Sequence, residues 1–167
     1  GLTVDEKSGD ILLFGQDKHP PAKSFMFRSK DHGVSWAKDD LVIQPDARGN
    51  VAALHMAEHG ITLRHGQHRS RLLRPARVYG KGDGYNTAIY SDDGGASWQS
   101  GTPFPWMGTG EGAVAELANG DIYYSSRKHW FDKAAGMTHR RAYAWSHDGG
   151  QSWEDAAFDD ELPDGPR

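Results

Sequence analysis

Apolar residues in this chain come in short runs, separated by clusters of glycine, proline, asparagine and aspartate. The runs fall at residues 11–15 and 24–28, then at 60–64, 71–79 and 86–90, and finally at 113–117, 122–126 and 141–145. They are too short for an amphipathic helix, and their bounding residues are turn formers. The pattern predicts an all-β chain built from many short strands.

One eight-residue sequence, met three times, organises those strands. Residues 29–36, 91–98 and 146–153 each read S-x-D-x-G-x-S-W. Two or three strand signals precede each copy, which is the content of one four-stranded antiparallel blade. Within the copy, Ser and Asp can accept backbone N–H bonds in a tight reversal, and Gly permits the positive φ it needs. The Trp ring is then free to bury between neighbouring sheets. Each copy is therefore placed on the hairpin joining a blade's third and fourth strands. A calcium loop is the competing reading, but no copy supplies the run of oxygen ligands ending in a glutamate that an EF-hand requires.

Composition narrows the classes of function. A net charge of -4 offers no footprint for nucleic acid, and no stretch is long and apolar enough to span a membrane. The absence of cysteine excludes disulfides and thiolate metal sites from these residues. The start at Gly1 and the abrupt end at Arg167 lead us to expect one partial propeller domain, residues 1–167, truncated at both ends.

Glu111 and Arg127 are the first candidates for chemistry. Asn119-Gly120 is a strong two-residue hairpin turn, and the two residues lie symmetrically about it. A hairpin folded there sets a carboxylate and a guanidinium at the same end of adjacent strands. A plain surface ion pair, contributing up to about 1 kcal/mol, is the alternative.

The three repeats are similar to the Asp-boxes of the sialidase (neuraminidase) superfamily, and the segments between them resemble bacterial exo-α-sialidases. The stretch from His59-Gly60-Ile61 through Arg71-Leu72-Leu73 to Pro75 looks like one family motif. Glu111 to Gly120, followed by Ser126-Arg127, is similar to a second, and Leu162-Pro163-Asp164 to a third. The resemblance implies about three blades of a six-bladed propeller acting on sialylated glycans, without a cofactor or metal. It also implies an extracellular or periplasmic location. Such enzymes use an arginine triad, an acid/base Asp and a Tyr nucleophile paired with a Glu. Glu111 matches that glutamate and Arg127 one arginine of the triad; the other positions lie outside these residues.

The chemistry fits those residue types. Sialic acid carries a carboxylate on the carbon under attack, which repels an anionic nucleophile, and sialidases are the tyrosine exception among glycosidases. Tyrosine, with a pKa near 10, needs a base beside it. An arginine fork suits the substrate carboxylate better than a lysine does. Two other functions stay open: a non-catalytic propeller binding carbohydrate or protein, and a propeller hydrolase of neutral polysaccharide.

Further candidates are weaker. Arg71, Arg74 and Arg77 read as a basic, solvated strand, and His55, His59, His65 and His68 as surface loops. Asn86, Trp106 and Met107 could line a sugar pocket or fill the space between blades.

Overall fold

The computed structural model describes residues 1–54, 56–79, 84–128 and 139–165. Twelve strands and no helix are found among them, arranged as three four-stranded antiparallel sheets. The first sheet is β1 (Leu2–Val4), β2 (Ile11–Gln16), β3 (Ser24–Ser29) and β4 (Ala37–Asp39). The second is β5 (Ile61–Thr62), β6 (Leu72–Val78), β7 (Tyr85–Ser91) and β8 (Gln99–Ser100). The third is β9 (Thr109–Glu116), β10 (Ile122–Lys128), β11 (Arg140–Ser146) and β12 (Glu154–Pro163). Each sheet keeps its strands in sequence order, the arrangement of a propeller blade.

The second sheet lies between the other two. Leu72 and Ala76 of β6 pack towards Leu12, Phe14 and Met26 of the first sheet. Leu73 and Ala88 pack the other way, against Ile122, Tyr124, Ala142 and Ala144 of the third. A strand covered on both faces has no polar side, and β6 is buried at every position. This overturns the expectation of a solvated basic strand: Arg71, Arg74 and Arg77 are all buried.

The guanidinium groups of Arg71 and Arg74 find partners supplied by distant chain, whereas Arg77 lies over the ring of nearby Tyr79. Arg71 grips Asp92 with two bonds of 2.7 Å, and its Nη1 donates to the Gly149 carbonyl in the third repeat. Arg28 does the same one sheet earlier, bonding Asp10, Asp39 and the Gly94 carbonyl of the second repeat. One arginine of the first sheet and one of the second thus staple the next sheet's turn. Arg74 donates to the carbonyls of Glu58 and Met56 and lies over the Phe14 ring, 4.8 Å from its centroid. Alternation along β6 could not reveal this, because the acceptors come from residues far away in sequence.

The repeats occupy the turns between third and fourth strands, as expected. In the second copy Ser91 Oγ donates to Asp93 Oδ1, Gly95 N–H donates to Ser91 Oγ, and Ser97 donates to Asp93 through both its amide and its hydroxyl. Copies one and three repeat the set. Gly95 and Gly150 both sit at φ 87°, where a Cβ is disfavoured. The tryptophans differ: Trp98 is fully buried against Phe14, Trp153 is buried against Tyr124, and Trp36 is 39% exposed. Trp98 leans on the preceding sheet, Trp153 meets Tyr124 of its own sheet within the cluster that includes Leu73 and Ala88 of the second, and the first sheet has no preceding neighbour among the described residues.

Candidate functional site

All three repeat turns, and the Asn119-Gly120 turn of the β9–β10 hairpin, lie at one rim of the sheets. Glu111 near the start of β9 and Arg127 near the end of β10 lie at the opposite rim. Ser126 pairs with Gly112 and Lys128 with Thr109, with an irregularity between them, so Arg127 falls beside Glu111. Arg127 Nη1 stands 3.4 Å from Glu111 Oε1. The carboxylate is half exposed and the guanidinium about a quarter exposed, so both can be reached from solvent.

Arg127 is held from behind. Asp164 is buried and accepts the Lys128 amide at 2.8 Å and the Gly165 amide at 3.0 Å. Its Oδ1 is 3.6 Å from Arg127 Nε and 4.0 Å from Arg141 Nη1. The register that pairs Ser126 with Ala142 sets Arg127 opposite Arg141. Like charges there repel, and the Asp164 carboxylate between them offsets that repulsion. Arg141 also donates to the Glu111 carbonyl and to Ser125, bracing the backbone that carries the glutamate.

Glu58 adds a second carboxyl to this corner. It is 7% exposed, its Oε1 accepts the Gly112 amide at 3.2 Å, and its Oε2 is buried with no hydrogen-bond partner. Burial pushes its pKa up to about 7; the Gly112 bond and Arg74 pull it down, and Glu111 pushes it further up. No local signal marked Glu58, because its partner lies 54 residues away. Asp164 was legible only as part of a motif, and Arg141 only through the strand register.

The remaining sequence candidates separate. Asn86 is fully buried, with Nδ2 donating to Ser126 Oγ at 2.8 Å and Oδ1 buried without a partner; it ties β7 to β10. Trp106 packs on Phe158, rings 5.1 Å apart, and belongs to the packing of the third sheet. Met107 is exposed, with its carbonyl accepting the Lys128 ammonium. His59 and His65 are exposed and His68 half-buried, while His55 lies outside the described residues. Among the described residues no three metal-ligating side chains come together.

With that geometry in view, the comparisons with known proteins are informative. The profile of the BNR repeat-like domain family matches residues 1–164. The chain belongs to this family. This BNR domain is 31% identical over 141 residues to a sialidase of Micromonospora viridifaciens, covering 81% of the chain and 20% of that relative. A sialidase of Vibrio cholerae is 32% identical over 138 residues, covering 72% of the chain and 18% of the relative. The chain therefore spans about a fifth of the curated relatives it matches. Among solved structures, the Hadza microbial sialidase Hz136 superposes with a TM-score of 0.66 at 20% identity, over 92% of this chain and 32% of its own. The fold is that of the sialidase propellers, and the BNR domain is homologous to sialidases.

Proposed function

We propose that these three sheets are consecutive blades of an exo-α-sialidase, a retaining glycosidase that releases terminal sialic acid from glycoconjugates. The observation that carries this reading is the Glu111–Arg127 pair, solvent-accessible at the rim away from the turns. It sits in a chain homologous to sialidases.

In this account Arg127 binds the substrate carboxylate through two parallel charge-assisted bonds. Glu111 accepts the proton of a tyrosine supplied from outside these residues, and that tyrosine attacks the anomeric carbon. The pair also explains itself electrostatically. Before substrate binds, Arg127 rests against Glu111 and Asp164, which keeps its fork in place so that less rotamer entropy is lost on binding. When the substrate carboxylate arrives, it takes over part of the guanidinium from Glu111, leaving that carboxylate free to accept a proton.

Turnover of a fluorogenic α-sialoside by the intact protein tests the reading, with Arg127→Lys and Glu111→Gln alongside. A point charge without the fork should raise KM, and an amide that cannot take a proton should lower kcat. Wild-type turnover of a neutral glycoside instead of the sialoside would contradict the assignment.

A further inference from the structure

Among the described residues, Glu58 is the buried carboxyl group with an oxygen that has no hydrogen-bond partner, and the proposed mechanism leaves it unused. It precedes β5 in the second sheet, yet its side chain reaches the third sheet and accepts the amide of Gly112, the residue directly after Glu111. One pocket is walled by both carboxyl groups, together with Met56, His59, Ile61 and Val114. A buried carboxyl oxygen without a partner is costly and is kept only where something offsets it.

From this geometry we infer that Glu58 is a positioning residue for Glu111, fixing the start of β9 through the Gly112 amide and coupling its own proton to the charge on Glu111. The inference rests on the role proposed for Glu111. Two carboxyl groups walling one pocket titrate as a coupled pair, and each makes the other's ionisation harder.

The groups facing Glu58 set the sign. Arg74 on β6 donates to its backbone carbonyl and favours the anion. Glu111 on β9 opposes it. Tyr124 on β10 and Tyr79 after β6 are held protonated by burial, with the Glu58 charge adding to that effect. His59 adjoins it in the chain. Burial dominates all of these, so Glu58 exchanges its proton near neutral pH.

The Gly112 amide is a built-in reporter, because its hydrogen bond strengthens when Glu58 ionises. In the intact protein labelled with 15N-glycine, its shift should titrate with a midpoint near 7. Glu58→Gln keeps an acceptor oxygen and should abolish the titration. Glu111→Gln removes the opposing charge and should move the midpoint down by about half a unit. A flat Gly112 shift, or a midpoint unmoved by Glu111→Gln, would overturn the inference.

Kinetics give the second readout. Glu58→Gln should remove an inflection near pH 7 from the kcat profile while leaving KM unchanged, whereas Glu58→Ala should lower kcat about 5-fold at every pH. A profile of unchanged shape in Glu58→Gln would mean a merely structural role. If wild type fails to cleave the sialoside, the sialidase reading falls, and the Gly112 titration still decides the coupling.

Discussion

The two rims of the same three sheets solve opposite problems. At the turn rim, each aspartate of the repeats has both oxygens satisfied by the same serines and amides, three times over. At the other rim, Glu58, Arg74 and Asn86 bury polar atoms that have no partner. With their carboxylates satisfied the turns are rigid and alike, and the buried polar atom left over among them is the Trp153 Nε1 donor. Incomplete satisfaction next to a half-exposed ion pair has a cost in stability, which the proposed function of that rim would account for.

The largest expected effect is on activity at the open rim. Arg127→Ala in the intact protein should cut sialoside kcat/KM by about 10³-fold, with little change in melting temperature. Steady-state kinetics and calorimetry on the same sample check both halves of that statement. At the turn rim the order should reverse. Trp98→Ala should cost about 4 kcal/mol in chemical denaturation, against about 1 kcal/mol for the exposed Trp36→Ala. Equal costs for the two would mean that the inter-sheet packing of the box tryptophans is not what stabilises the turns.

The rims should also respond to pH with opposite signs. Asp31 is held at about 2 by the Ser35 hydroxyl and amide and the Ser29 hydroxyl. For Asp93 and Asp148 burial works upward, yet hydrogen bonds from serine hydroxyls and amides bring the net shift down. Their contribution to stability is therefore present above pH about 4 and is lost as pH falls through the depressed values. Glu58 is shifted the other way, to about 7. Its contribution is complete below its unfolded pKa of about 4.5 and declines as pH rises from there to about 7. The decline should amount to about 3 kcal/mol, most of which urea unfolding at pH 5 and 8 should show in wild type but not in Glu58→Gln. A smaller effect, about 1 kcal/mol, is expected for Asp93→Asn, which keeps one acceptor for the Ser97 bonds.

The contrast between rims also explains what the sequence could and could not disclose. The turns were legible because their partners lie within four residues, so the motif carries its own geometry. The Glu111–Arg127 hairpin was legible for the same reason, through the Asn119-Gly120 turn between them. Arg74 was misread because burial of both faces of β6 depends on two other sheets, and a strand's own alternation is silent about them. Glu58 escaped notice, and the role of Asp164 within its motif did too, because each meets its partner across a long stretch of chain where spacing carries no information.

With the proposed function, the turn rim holds the fold while the open rim works on substrate. The most direct test measures sialoside turnover and unfolding free energy together, in the intact protein, for Asp93→Ala and Glu111→Gln. Asp93→Ala should lose about 2 kcal/mol of stability and keep the kcat of its folded fraction. Glu111→Gln should keep its stability and lose at least about 10²-fold in kcat. The account is contradicted if Glu111→Gln unfolds as easily as Asp93→Ala while turning over sialoside at the wild-type rate.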